Sequence, residues 1–285
     1  MISVIILTHN RLLSLKTLLD ALQKEKEQFE IVLINNSTSK KEKTLVADYD
    51  NIHYISMNAN VDLSQARNLG MNASEGEYLA FIDDDCIPKK GWLSIVKQAL
   101  EHYDAVGGQV LSMMALRYPW WWDQEYNWII GLSTPAMIQD IEGMYHMPQT
   151  SNLALKRKVA QKVQFREFSN HKLKRRREDA LFWKDIHSAK FKTRIIPEMV
   201  VYHRIPQDRL ALSYCLKRSY EDGIFRGYFN ENKPTQMLKF GLRSTAEMGI
   251  ELLRFRPRAI ITHTIQVCNC IGYTWGLFLK RMSNN

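Results

Sequence analysis

Along the first hundred residues, short and almost uninterrupted apolar runs alternate with stretches whose apolar positions recur every three or four residues. Ile2 to Leu7, Glu30 to Ile34, Ile52 to Met57 and Tyr78 to Ile82 have the length of strands, and the last of them, short and apolar, reads as a buried central strand. Between them, Leu12 to Leu22 and Leu63 to Ala73 have helical spacing, as does Trp92 to Leu100, which precedes a further strand near Ala105 to Leu111. This is the rhythm of βαβ units and predicts a largely parallel sheet. In open α/β sheets ligands bind beyond the carboxyl ends of the strands. Three polar strand ends, Thr8 to Asn10, Asn35 to Ser37 and Asp83 to Asp85, are therefore expected to line one crevice and to hold a polar ligand.

The pattern then changes. Tyr118 to Trp128 reads YPWWWDQEYNW, a density of rings that suits a sugar-stacking platform, a membrane-interface belt or plain core. Leu210 to Gly227, Gln236 to Phe255 and Ala259 to Lys280 are helical in period. In the last of these, Ile261, Thr264, Ile265, Cys268, Ile271, Gly272, Trp275, Phe278 and Leu279 fall on one side. His263, Gln266, Asn269, Tyr273 and Lys280 fall on the other, which predicts an amphipathic helix that packs on the protein or lies on a bilayer. A spanning helix would carry His263, Gln266 and Asn269 into hydrocarbon, which disfavours that reading.

Composition adds a charge asymmetry. The 285 residues carry a formal charge of +9, and from Arg209 onward 12 Lys and Arg stand against 5 Asp and Glu. Arg254, Arg256 and Arg258 lead straight into the last apolar helix, so an anionic membrane surface is the expected partner there. Sequence-specific nucleic-acid binding is not expected, although a basic run attracts any polyanion. Cys86, Cys215, Cys268 and Cys270 have neither zinc-site nor disulfide spacing and read as free thiols. The N-terminus shows no basic leader, and its apolar run is short for a signal peptide; the expected location is cytoplasmic, peripheral at the inner face of the cell membrane.

The strongest chemical signal is Ile82-Asp83-Asp84-Asp85. Carboxylates crowded at the end of a buried strand repel one another unless a cation neutralises them, and a divalent ion bridging to phosphate oxygens does so. Four patches in order, VIILTHNR, EIVLINNSTS, NVDLSQARNLGMNASEGEYLAFIDDDCIP, and TSNLALKR followed by RREDALFWKDI, resemble the inverting glycosyltransferases of family 2 with the GT-A fold. The resemblance covers about residues 1 to 205. It implies a nucleotide-sugar-binding half at 1–113, an acceptor side at 114–205 and, beyond it, a basic helical extension at 206–285.

Carried onto this chain, the resemblance places Thr8, Asn10, Arg11, Asn35, Arg67, Asp83 and Asp84 around the donor nucleotide. Asp85 and, through the phrase MVVYHRI, His203 would hold Mn2+ or Mg2+. Asp179 would be the general base, and Asn152 and Glu178, with Trp121 and Trp122, would serve the acceptor. The family commonly has an aspartate where Asn35 stands and a glycine where Val61 stands; an Asn carbonyl still accepts a uracil N–H, so a UDP-sugar is the preferred donor. The basic run from His171 to Arg177 beside the proposed base would suit a phosphate of a lipid-linked carrier or an acidic glycan, or be a solvated loop. The expected activity is single displacement, with inversion, onto a hydroxyl of a glycan or lipid-linked acceptor in cell-surface polysaccharide assembly. The rival reading is a non-catalytic basic membrane- or nucleic-acid-binding protein that keeps the transferase-like fold; a pyrophosphorylase is disfavoured because Thr8 to Arg11 contains no glycine-rich phosphate cradle.

Overall fold

A computed structural model describes residues 1–39, 41–57, 61–140, 147–167, 177–229 and 233–283. The elements follow the chain as β1 (Ile2–Thr8), α1 (Leu12–Leu22), β2 (Phe29–Asn35), α2 (Lys41–Val46), β3 (Ile52–Ser56), α3 (Leu63–Ala73), β4 (Tyr78–Phe81), β5 (Cys86–Pro88), α4 (Trp92–His102) and β6 (Ala105–Ser112). They continue as α5 (Pro135–Gln139), β7 (Leu153–Lys156), α6 (Arg157–Ala160), α7 (Glu178–Ser188), β8 (Thr193–His203), α8 (Leu212–Tyr228), α9 (Pro234–Leu253) and α10 (Pro257–Ser283).

The strands form one mixed sheet in the order β3-β2-β1-β4-β7-β6-β8-β5. Its first four are parallel, as the apolar runs predict. Register brings Thr8 opposite Asn35, and Asn35 opposite Ser56, so the polar residues that end these strands share one edge. β7 reverses direction between β4 and β6, and β8 returns parallel to β6 with an irregularity between Gly108 and Gln109.

Burial explains why these segments hold. Helix α1 turns Leu15, Leu18, Leu19 and Leu22 inward at helical spacing. Asp62 caps α3 by accepting a hydrogen bond from the Ser64 N–H. Gly70 of α3 leaves no room for a methyl group, since a Cβ there would stand 2.6 Å from Ile5 Cγ2. Phe165 stacks on Phe182 at 3.8 Å between ring centres and meets Phe81 edge-on, which fastens α7 to the sheet's core.

The chain divides into two compact units. The first is residues 1–114 with 131–204, and it contains the whole sheet; the second is 115–130 with 205–285. The aromatic stretch thus groups with the C-terminal helices and not with residues 131–204. Within the second unit Trp121 and Trp122 are 7 % exposed, and Trp122 also contacts Tyr118 and Tyr126. Trp120 is 64 % exposed.

Helices α8 and α10 run parallel at close range. A Cβ on Gly223 or Gly227 would strike the carbonyl oxygens of Asn269 and Tyr273, and one on Gly272 or Gly276 those of Tyr220 and Ile224, each at about 2.0 Å. Two GxxxG spacings therefore face one another, a packing in which small residues let backbones touch. This seam takes Asn269, which donates to the Ser219 carbonyl and to Asp222, and Tyr273, which is 1 % exposed. The amphipathic reading of the last helix is corrected accordingly: part of its polar side turns inward. Ile271, Trp275 and Phe278, from its apolar side, are exposed.

Candidate active site

The acidic triplet follows β4 directly, and its first anchor is backbone: the Ile82 N–H donates to the Ile5 carbonyl, setting the triplet beside the end of β1. Thr8 then donates its hydroxyl to Asp84 at 2.8 Å, and the Arg11 guanidinium donates to Asp84 at 2.9 Å and to Asp85. Asp84 is 4 % exposed and binds with both oxygens, so it ties β1 to the triplet. Asn10 makes the turn between them with a φ of 58°, a conformation that Asn tolerates. Arg11, half-exposed, is the cation that these carboxylates share.

His203 ends β8 opposite Cys86 of β5, and its Nε2 lies 3.4 Å from Asp85 Oδ1. Its Nδ1 stands 3.1 Å from the Gly131 carbonyl; with that nitrogen donating, Nε2 is left as the ligating nitrogen. Gly131 has a φ of +79°, and a Cβ there would stand 3.1 Å from the His203 ring, so the position requires glycine twice over. Asp85, Cys86 and His203 bring ligand atoms within 4.8 Å of one another. A carboxylate oxygen and an imidazole nitrogen fit a divalent ion such as Mn2+. Burial and the three neighbouring aspartates push the Cys86 thiol well above its ordinary range, which makes it a neutral neighbour.

The electrostatics show a shortage of positive charge. Burial, reinforced by Asp85 and Asp84 against the pull of Arg67 and His203, raises the Asp83 carboxyl to about 6. Asp84 is raised by burial and Asp85. His203 is raised too: burial opposes its charged form, but the bond and charge of Asp85, then Asp83, outweigh it. A divalent cation would relieve this repulsion.

Helix α7 begins with Glu178 and Asp179. Arg67 of α3 is 6 % exposed and donates to Glu178 at 2.6 Å, with its guanidinium 5.4 Å from the Phe165 ring centre. The charges of Glu178, Asp83 and Asp179 all act on this one guanidinium, against its burial. Arg67 is therefore bonded to Glu178 and within electrostatic reach of both Asp83 and Asp179. Asp179 is half-buried, its Oδ1 accepts from the Ala180 N–H, and burial followed by the charge of Glu178 raises it to about 6. A carboxylate poised near neutrality suits proton abstraction.

Other expected site residues occupy different surroundings. Asn35 is fully buried; its amide donates to the Ser39 carbonyl and the Tyr54 hydroxyl and accepts from the Ser37 N–H and hydroxyl, so it shapes the strand-end loop. Asn152, also fully buried, accepts from the Trp92 indole and donates to the Gln109 and Met199 carbonyls, an interior brace in place of the acceptor contact expected of it. Trp121 and Trp122 belong to the second unit. Of the basic run, residues 171–176 lie outside the described residues, and Arg177 precedes α7 with a φ of 48°. Sequence reasoning gave no individual site role to Asn36, whose side chain pairs with both backbone groups of Val61, nor to Gly131 and Cys86. Cys86 had a signal, its place directly after the triplet; Gly131 had none.

Residues 3–164 match the family model described as "Glycosyl transferase family 2". The chain is 24 % identical over 139 residues to a glucosyl-dolichyl phosphate glucuronosyltransferase of Haloferax volcanii, covering 47 % of this chain and 44 % of that protein. It is 29 % identical over 118 residues to the glycosyltransferase AglE of the same organism, covering 38 % and 39 %. The matched part is thus less than half the length of either relative. Among solved structures, the mannosyltransferase PcManGT of Pyrobaculum calidifontis, in complex with GDP-Man and Mn2+, superposes with a TM-score of 0.66 at 13 % identity, over 98 % of this chain and 87 % of that one. S. aureus TarS in complex with UDP-GlcNAc superposes at 0.54 and 14 % identity, over 99 % and 92 %. The fold is that of the GT-A glycosyltransferases.

Proposed function

The chain belongs to glycosyl transferase family 2, and from that premise we propose that it is a glycosyltransferase that passes a sugar, with inversion, from a UDP-sugar to a hydroxyl of a glycan or lipid-linked acceptor in cell-surface polysaccharide assembly. The observation that carries the reading is the buried Arg67, acted on by Asp83 on the donor side and by Glu178 and Asp179 on the other. Attack on an anomeric carbon needs a base for the acceptor hydroxyl on one face and charge stabilisation for the diphosphate on the opposite face.

In this reading Asp179 takes the hydroxyl proton, Glu178 and Arg67 hold it in place, and Asp83 meets the ribose. Asp85 and His203 would hold Mn2+ or Mg2+, which neutralises the leaving diphosphate when bound. Thr8, Arg11 and Asp84 brace the strand ends around the nucleotide, with Asn10 and Asn35 shaping the two loops. The excess of Lys and Arg from Arg209 onward supports work at an anionic membrane surface, at its cytoplasmic face. The four cysteines are free thiols, which accords with that side.

The test is calorimetric titration of a panel of sugar nucleotides, UDP- and GDP-linked, with and without Mn2+. Metal-dependent binding of a UDP-sugar that Asp85→Ala abolishes is the expected result. No binding across the panel would favour a protein that has kept the fold without the chemistry.

A further inference from the structure

Two rows of apolar side chains on the second unit face solvent. On α9, Leu238, Leu242, Leu252 and Leu253 are exposed on one side of the helix, with the exposed Gly249 between them. On α10, Ile271, Trp275, Phe278 and Met282 do the same, with Trp275 stacked on Phe278 at 5.2 Å. Neither row contains a charged residue. The helices are antiparallel neighbours, since Gly241 meets Cys270, Ser244 donates to Gln266 and Thr264 to Met248. Thr264 lies seven residues before Ile271 and Met248 four before Leu252, so their contact joins the two rows. Glu247 and His263 meet on the other side of the seam.

The turn between these helices breaks a local rule. The Arg256 N–H donates to the Glu251 carbonyl and the Phe255 N–H to that of Leu252, a helix ending whose left-handed residue is usually glycine. Here that residue is Phe255, with a φ of 52°, and its side chain is 90 % exposed beside Leu253 at 82 %. A bulky residue at positive φ is costly, and exposing its ring adds to the cost unless something covers it. Arg254 and Arg256, exposed around it, share the single carboxylate of Glu251. A cavity of about 530 Å3 opens at the same turn, lined by Trp120, Phe255, Arg256, Pro257, Arg258 and Thr262. No described helix is long and apolar enough to cross a membrane.

We infer that the joined rows of α9 and α10, led by the Leu253 to Arg258 turn, form the face that lies on an anionic phospholipid surface. Apolar rows flanked by arginines and tipped by exposed aromatics match a bilayer interface, where rings enter the acyl boundary and guanidinium groups meet phosphates. The excess of 12 cations over 5 carboxylates from Arg209 onward supplies the charge complementarity for that occupant. The inference rests on the membrane part of the proposed function; the transfer chemistry does not depend on it.

Co-sedimentation of the full chain with phosphatidylcholine vesicles, with and without phosphatidylglycerol, tests it. Binding is expected only where the anionic lipid is present, and to weaken with salt. Phe255→Gly suits the backbone and removes only the ring. That variant, and Trp275→Ser combined with Phe278→Ser, should each weaken binding about tenfold. Donor titration on the same variants should be unchanged, which separates failure here from failure of the transferase reading. Absence of vesicle binding, equal binding by these variants, or a dimer in solution that the same substitutions dissociate would overturn the inference.

Discussion

Arg67 and Glu178 form a buried pair whose value is positional. Removing one partner would leave the other charge uncompensated in the interior, so neither side chain is free to drift. Their neighbour Asp179 owes part of its raised pKa to Glu178, while Arg67 pulls it down. Glu178→Gln removes the repulsion and leaves the pull of Arg67 in place, so the carboxyl's pKa falls. The acid limb of the kcat/KM profile, expected near 6 in the wild type, should therefore move to lower pH in this variant; a limb that stays or rises contradicts the assignment. The triplet was conspicuous in the sequence as consecutive acids after an apolar run, whereas the Glu-Asp pair was singled out only through the family resemblance. The sequence did not reveal that Arg67 bonds to Glu178, a contact that spans 111 residues. The internal partners of Asn35 and Asn152 were hidden for a related reason: an amide reads the same in the sequence whether it meets a ligand or braces a loop.

Among the elements, β1, β2 and β4 were legible because a parallel strand covered on both faces writes a continuous apolar run, whereas the edge strand β3 is only partly covered and was legible from its place in the alternation. The C-terminal helices were legible as helices but not in their facing. Asn269 and Tyr273 counted as an outer side in the periodicity, yet close glycine contact makes their flank the seam with α8. The GxxxG spacings at Gly223 and Gly272 were the available signal. Gly223→Val or Gly272→Val should lower stability by about 1–3 kcal/mol or more, because backbone atoms occupy the space a side chain needs. Gly249 of α9 has nothing within 4 Å, so Gly249→Ala should instead stabilise by about 1 kcal/mol. Chemical denaturation of the three variants checks both signs; equal tolerance at all three positions would show that α8 and α10 do not pack this closely.

For the molecule as a whole, the raised carboxyls set the site against the fold. A group whose folded-state pKa exceeds its unfolded value of 3.8 binds its proton more tightly when folded. The stability Asp179 contributes is thus complete below that value and is lost as pH rises through about 6. Asp179→Asn should accordingly be more stable than the wild type at neutral pH by about 1–3 kcal/mol, with a flatter melting profile between about pH 4 and 6. A variant less stable than the wild type would place Asp179 in the structural framework. The account as a whole requires that the triplet and Asp179 serve one donor from two sides. The most direct measurement sets donor affinity beside sugar transfer for Asp179→Asn, with the donor that the panel identifies and a labelled glycan and lipid acceptor pool. The account predicts donor affinity within about twofold of the wild type and transfer reduced by about 100-fold or more. Transfer at the wild-type rate, or donor binding lost together with transfer, would contradict it.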